Sequence, residues 1–165
     1  MKAILSSLLP LVAGLAACAS GPALVPGQST VADVEARHPA EKRAVGGETV
    51  YYFPELPWGY RSYAARVGGD GKLIAVEQRL TQANIGKVVR GKTTGAEVRD
   101  LLGPPWEPVH YARMERDVWT YPMRIEADPT PKWFVVYVAP DGIVSDTYLF
   151  DDMNYNRWGA GNPRR

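Results

Sequence analysis

The chain is poor in the residues that metal and redox sites require. Its 165 residues include one cysteine, Cys18, and two histidines, His38 and His110. A single cysteine excludes an intrachain disulfide. So few sulfur and imidazole ligands exclude a closed zinc site unless carboxylates complete it. We therefore expect neither a metal centre nor a cofactor.

An excess of charge of one sign is also lacking. The chain has 19 Lys and Arg against 18 Asp and Glu, a formal net charge of +1. This balance gives no basic surface for nucleic acid, so no nucleic-acid partner is expected. Apolar residues make up 45% of the chain, which is typical of a globular protein and excludes disorder as its main state.

Catalytic signatures are missing as well. The chain contains no Gly-x-Ser-x-Gly, no His-Glu-x-x-His and no glycine-rich phosphate loop. Both histidines lie close to prolines, which indicates loop positions. The adjacent acids Asp151 and Asp152 follow a predicted strand, where a solvated turn is expected rather than acid–base chemistry. We expect no catalytic residue and a protein that is not an enzyme.

The N-terminal residues of the chain carry a targeting pattern. Residues 1–17 carry Lys2 and then an uncharged, Leu- and Ala-rich stretch, which is typical of a secretory signal peptide and too short to span a bilayer. Leu15-Ala16-Ala17-Cys18 resembles the bacterial lipobox. That resemblance implies diacylglycerol transfer to the Cys18 thiol, cleavage before it and acylation of the new amino group, with palmitate a typical chain. The alternative is an ordinary signal peptide with an incidental cysteine.

Stable membrane anchoring takes two or more acyl chains, which a lipobox cysteine receives. Ala19 follows Cys18, and by resemblance to lipoprotein sorting this favours the outer membrane, with the protein facing the periplasm. Residues 18–26 contain two prolines, one glycine and no charge, so they form a short lipidated tether.

An internal repeat follows the tether. Gly27-Gln-Ser-Thr-Val-Ala-Asp-Val aligns with Gly91-Lys-Thr-Thr-Gly-Ala-Glu-Val at an offset of 64 residues. Val50-Tyr-Tyr-Phe-Pro54 aligns with Val118-Trp-Thr-Tyr-Pro122 at an offset of 68, and Asp70-Gly71 with Asp141-Gly142 at 71. A slowly growing offset is expected when loops of different length join shared elements.

Each copy has the same predicted order of elements. Thr30 with Asp33, and Thr94 with Glu97, have the spacing of a helix capping box. Three apolar or β-branched stretches follow each helix, and Asp-Gly hairpin turns join the last two. The sequence therefore predicts an α+β fold of two repeated units, each with one or two short helices on a three-stranded antiparallel meander. The predicted domains are a first unit over 27–81, a linker over 82–90, a second unit over 91–150 and a polar tail over 151–165.

The second copy resembles a known family. Gly91-Lys-Thr-Thr-Gly-Ala-Glu-Val-Arg-Asp-Leu-Leu-Gly-Pro104, followed by the aromatic stretch Asp117-Val-Trp-Thr-Tyr121, is similar to the opening and the later strand of the SmpA/OmlA (BamE-type) lipoproteins. A tandem of such units also resembles the β-lactamase-inhibitor-protein fold. The family implies a non-catalytic scaffold in the outer-membrane barrel-assembly machinery. Typical members carry one copy, whereas this chain has two.

Aromatic residues are the candidate partner-binding residues. Trp133-Phe-Val-Val-Tyr-Val138 is apolar on both faces, so Phe134 and its alternate neighbours are expected to face the core. The opposite face, with Trp133 and Tyr137, either packs on the first copy or docks a partner protein. The remaining candidates are Trp58 and Tyr60 in a proline-rich loop, Trp106 after a Pro-Pro pair, and Trp119 and Tyr121 in the aromatic strand.

Together these features predict an outer-membrane lipoprotein that is a scaffold or adaptor in envelope protein assembly. Its expected partners are the outer membrane, reached through the lipid, and an envelope protein that belongs to the barrel-assembly machinery or another complex. The alternative function is a lipid-anchored, inhibitor-like module that binds a periplasmic protein.

Overall fold

The computed structural model describes residues 23–153 as two antiparallel sheets of four strands each. The first sheet has the order β1-β2-β3-β4 and the second β5-β6-β7-β8. In chain order the elements are α1 (Val31–Glu35), β1 (Glu41–Val45), β2 (Glu48–Pro54), β3 (Ser62–Val67), β4 (Leu73–Gln78), α2 (Gln82–Ile85), α3 (Gly95–Leu102), β5 (Trp106–Tyr111), β6 (Arg116–Met123), β7 (Lys132–Val138) and β8 (Val144–Asp151). The predicted signal peptide, the lipidation of Cys18 and most of the polar tail lie outside the described residues.

The predicted α+β class with three-stranded meanders is wrong. The protein is mostly β, with few short helices, and each sheet has a fourth strand, β1 or β5, that the prediction did not include. β1 begins Glu-Lys-Arg, a sequence with low strand propensity. β5 contains Pro108, which is tolerated only at an edge or a bulge, and the pairing of β5 with β6 does shift between Trp106 and Val109.

The same backbone hydrogen bonds recur in both sheets. Gly27 donates to the Leu73 carbonyl at 2.7 Å, and Gly91 donates to the Val144 carbonyl at 2.8 Å. The residue after each capping threonine donates its amide to the carbonyl of a turn glycine: Val31 to Gly71, and Gly95 to Gly142. Both turn glycines have positive φ, +77° and +80°, as predicted for Asp-Gly hairpins. The aligned residues therefore make equivalent contacts.

Both predicted capping boxes are confirmed. Thr30 and Asp33 form one at the start of α1, and Thr94 and Glu97 form the other at the start of α3. The backbone amide of each threonine donates to the acid at 2.7 Å, and this hydrogen bond holds the pKa of both carboxyl groups below the ordinary range.

Helix α3 lies between the two sheets. Val98 and Leu102, both fully buried, pack against Tyr121 and Val136 of the second sheet. Toward the first sheet, the Tyr52 hydroxyl donates to the Asp100 carbonyl at 2.8 Å. Arg79 donates to the carbonyls of Asp100 and Leu101 at 2.8 and 3.0 Å. Side chains of β2 and of the residue that follows β4 thus satisfy carbonyls in the last turn of α3, where positive charge is also favourable.

Ion pairs reinforce this junction. Arg43 of β1 binds Asp100, and Arg99 of α3 binds Glu41. Gly103 ends α3 with φ +84°, and a Cβ placed on it would lie 2.8 Å from Tyr52 Cδ1 and 3.1 Å from Ser62 Oγ. The chain passes so close to β2 that this position requires glycine.

The apolar core is divided accordingly. The largest cluster joins α2, α3 and the inner side of the second sheet, and includes Leu80, Ile85 and Val88 from the segment between the sheets. A smaller cluster lies under α1, around Val34 and Tyr51. Among residues 23–153, no helix is long and apolar enough to cross a membrane.

Candidate protein-docking face

The second sheet has one face that α3 does not cover. Along β7, Phe134, Val136 and Val138 belong to the core cluster under the helices. Because side chains alternate along a strand, Trp133, Val135 and Tyr137 lie on the opposite side. Strand register adds neighbours from the three other strands. We call this surface the outer face; it comprises Trp106, Val109, Val118, Trp133, Val135, Tyr137, Tyr148 and Phe150.

Aromatic rings form a layer of two clusters on the outer face. The Trp106 and Trp133 rings meet edge to face with centroids 5.7 Å apart, and Phe150 lies 6.2 Å from Trp133 on the other side. Tyr137 and Tyr148 form a second edge-to-face pair at 5.6 Å. Val135, between Trp133 and Tyr137 on this side of β7, is only 6% exposed. Such pairs hold the rings in fixed positions.

Part of this layer is open to solvent, while Trp106, Trp133 and Tyr137 are partly buried. Val109 is 44% exposed, Tyr148 54% and Phe150 46%. The Trp133 indole nitrogen is shielded from solvent, yet it finds no hydrogen-bond acceptor among the described residues. Buried donors without acceptors are rare in native proteins and lower stability.

The corresponding positions of the first sheet are covered. Val50, Tyr52 and Ala64 occupy the strand positions equivalent to Val118, Thr120 and Val135. All three are at most 4% exposed, because α3 and its flanking residues pack against that side. The same surface is an internal contact in one sheet and an open face in the other.

The structure separates the predicted partner-binding residues. Trp106, Trp133 and Tyr137 come together on the outer face, and their ring contacts are with residues of the second sheet rather than the first copy. Trp119 is half-buried on the opposite side, with the Arg99 guanidinium 5.7 Å from its ring. Tyr121 is fully buried and donates to the Gly103 carbonyl at 3.2 Å, so it is a core residue and not a contact for a partner.

The proline-rich loop between β2 and β3 carries the other two candidates. Trp58 is 79% exposed at its tip. Tyr60 has φ +53° and donates to the Asp152 carboxylate at 3.0 Å, while the Arg124 guanidinium lies 5.1 Å from its ring. Tyr60 therefore ties this loop to the second sheet, and Trp58 stands apart from the outer face.

Four residues of the outer face, Val109, Val118, Tyr148 and Phe150, were missed by the sequence argument. Val109 lies on the unpredicted strand β5, and Tyr148 and Phe150 lie on β8. The alternation Asp146, Tyr148, Phe150 was visible in the sequence and places both rings on the side of Trp133. Aligning β8 with β7 would have found them.

His110 lies beside an acidic side chain at the surface. His110 Nδ1 lies 2.8 Å from Asp117 Oδ1, with both side chains about half exposed or more, 64% and 48%. The pair borders a groove of about 840 Å³ lined also by Trp119, Glu115 and Asp141. Water weakens electrostatic effects at such a pair. Among residues 23–153, no three His, Cys, Asp or Glu side chains are grouped so that they could hold a metal ion.

Comparison with known proteins adds little. No family model and no curated protein matches the chain. Among solved structures, it is similar to the crystal structure of a DUF4309 family protein (YjgB) from Bacillus subtilis, at 16% identity, covering 78% of this chain and 82% of that one. The TM-score is 0.31, which does not establish a shared fold.

Proposed function

We propose that this protein is a lipid-anchored, non-catalytic adaptor of the bacterial envelope that binds a protein partner through the outer face of its second sheet. The observation that carries the proposal is the open aromatic layer around Trp133. Exposed apolar layers of this kind mark protein interaction sites, and Trp and Tyr dominate their binding energy.

Three further features support it. The aromatic rings are held by one another, so they lose little conformational freedom on binding. The lipobox at Cys18 implies an outer-membrane anchor, and the SmpA/OmlA resemblance of the second copy implies a scaffold in barrel-protein assembly.

The first experiment identifies the partner. The tagged lipoprotein is purified from mildly solubilised outer membranes, and copurifying proteins are identified by mass spectrometry, with Cys18→Ala as the anchoring control. Recovery of barrel-assembly subunits from the wild type, and their loss with Cys18→Ala, is the expected result. Recovery of only a soluble periplasmic enzyme, or of nothing, contradicts the adaptor function.

A matched pair of variants then tests the face. Val109 lies on the outer face and Val76 on β4 of the first sheet, and they are 44% and 43% exposed. Val109→Asp places a charge that binding would desolvate, so recovery of the partner is expected to fall at least about tenfold. Val76→Asp is expected to leave it unchanged. Equal recovery from both variants would contradict docking at the outer face.

A further inference from the structure

The four edge strands differ in their protection against pairing with another chain. β1 begins Glu-Lys-Arg, and β5 contains Pro108 and a bulge. Charge, proline and bulges on an edge strand are the usual obstacles to strand addition. β4 is six residues long, and Arg66 and Arg79 both bind its Glu77. β1 and β5 are thus protected, whereas β4 is shorter than β8 and has Glu77 as its one charged residue.

β8 is protected at its start only, where its pairing with β7 shifts at Ser145 and Arg90 Nε donates to the Ser145 carbonyl. It has eight residues, with no proline, lysine or arginine. Tyr148, Leu149 and Phe150 follow one another along it, each between 45% and 54% exposed. Within residues 23–153, β7 is the one strand that pairs with β8. Val144, the first residue of β8, accepts a hydrogen bond from the Gly91 amide and donates one to the Thr93 carbonyl. The open edge of β8 therefore begins after Val144.

The backbone of the open edge points outward at defined positions. The Asp152 amide donates to the Pro131 carbonyl at 2.8 Å, toward the β7 side. Hydrogen-bonded and non-bonded residues alternate along an antiparallel strand. Thr147 and Leu149 therefore direct their amides and carbonyls away from β7, with Tyr148 between them.

We propose that β8 pairs antiparallel with β8 of a second copy of this chain, about a two-fold axis at Tyr148. In this register Thr147 of each copy lies opposite Leu149 of the other, so both exchange backbone hydrogen bonds. A two-fold interface requires such self-complementarity. Any register with its axis on a residue satisfies the backbone, but an axis at Leu149, the centre of the exposed apolar run, would place Asp146 opposite Asp152.

Charge favours the same register. Asp151 lies opposite Ser145 of the other copy, and Asp146 lies opposite Phe150, so no two carboxylates face each other directly. Arg90 contacts Asp146 at 2.9 Å and the Ser145 carbonyl at 3.2 Å, and its side chain is 66% exposed. The Asp151 side chain is 60% exposed. Within each copy Asp151 binds Lys132 and Asp146 binds Arg90, so these two carboxylates already have cationic partners.

This pairing extends the candidate docking surface. Residues directly opposite each other in a sheet share a face, so the two Tyr148 rings meet on the outer face. The result is one continuous eight-stranded sheet whose aromatic layers lie on the same side. A partner of the adaptor would then meet both copies at once.

Disulfide trapping tests the register. Two cysteine variants, Tyr148→Cys and Val109→Cys, are made in the full chain with Cys18→Ala, so the result does not depend on the anchor. Directly opposite residues have Cβ atoms about 4.5–5.5 Å apart, close to disulfide geometry. Tyr148→Cys is therefore expected to give a disulfide dimer on mild oxidation. Val109→Cys, on the edge strand β5, is the matched control and is expected to stay monomeric. Equal dimer yields would overturn the proposal.

Sedimentation equilibrium gives a second readout. The Cys18→Ala chain is expected to show a reversible dimer, and Leu149→Lys is expected to weaken it at least about tenfold, because an edge lysine opposes strand addition. Leu149 is 45% exposed, so the variant is expected to fold, as its thermal melt will report. A monomer at every concentration, or a dimer unaffected by Leu149→Lys, would overturn the proposal.

Discussion

Corresponding strands of the two sheets, β2–β3 and β6–β7, pair in the same way but have different surroundings. In the first sheet, α1 packs on one side and α3 on the other. In the second sheet, α3 and α2 cover one side and leave the outer face open. One helix thus serves both sheets. A repeated sequence therefore need not give repeated surfaces. The aromatic layer lies on the side of the second sheet that is opposite to α3.

The largest expected effect comes from breaking the shared junction. Gly103→Ala introduces a Cβ 2.8 Å from Tyr52 Cδ1 at φ +84°. Backbone strain and overpacking together are expected to lower the free energy of unfolding by about 3 kcal/mol or more. The control is Gly91→Ala, with φ +70° and no atom within 4 Å, which is expected to cost about 1–2 kcal/mol. Urea unfolding measures both, and equal losses would contradict the close contact of the sheets.

The next effect compares equivalent core valines. Val34 of α1 and Val98 of α3 are both 0% exposed. Val34→Ala is expected to cost about 2 kcal/mol, and Val98→Ala more, because α3 is held on two sides and cannot settle into the cavity. Thermal unfolding monitored by circular dichroism gives the ranking. A larger loss at Val34 would show that α3 is not the more constrained helix.

Adjacent tyrosines on opposite sides of β2 give a finer test. Tyr52 donates to the Asp100 carbonyl at the junction, and Tyr51 donates to the Glu35 carboxylate at 3.2 Å. Tyr52→Phe is expected to cost about 1 kcal/mol, as for an ordinary hydrogen bond. Tyr51→Phe is expected to cost less, since Glu35 is 48% exposed and water can replace the hydroxyl. A greater loss from Tyr51→Phe in denaturant titrations would contradict the assigned roles.

The smallest effect concerns pH. Hydrogen bonds from Thr94 lower the pKa of Glu97 in the folded protein. That stabilisation is present above the ordinary carboxyl range, about pH 4, and is lost as the pH falls through the lowered pKa. Glu97→Gln keeps an acceptor but does not titrate, so the wild type is expected to lose slightly more stability than this variant between pH 7 and pH 3. Asp33→Asn is expected to behave in the same way. If the free energy of unfolding changed with pH equally in the wild type and the variants, the lowered pKa values of Glu97 and Asp33 would be contradicted.

Local features were readable from the sequence. The two capping boxes, the glycine turns and six of the eight strands follow from spacing and side-chain type, because neighbouring residues decide them. β1 and β5 could not be read, since charge in one and Pro108 in the other oppose strand formation and pairing with β2 or β6 overrides that preference. Trp133 and Tyr137 were predicted as an extra apolar face, but the sequence left open whether the first copy covers it.

Position in three dimensions decided the remaining candidates. Tyr121 and Tyr137 are both strand aromatics, and nothing local distinguishes them. One is buried under α3 and the other lies on the outer face, because α3 packs on one side of β6 and β7. The contact between α3 and β2 depends on Gly103, Tyr52 and Arg79, which are distant in sequence. No spacing rule links them.

The placement of α3 also determines how this protein can be dissected. Residues 82–90, which separate the copies in sequence, contain α2 and the buried side chains of Ile85 and Val88. A fragment that ends before this segment would lose the cover over Val50, Tyr52 and Ala64. A fragment that begins after it would lose part of its own core. The two repeats are therefore inseparable in practice, and mapping experiments on this protein are better designed around point substitutions than around truncations.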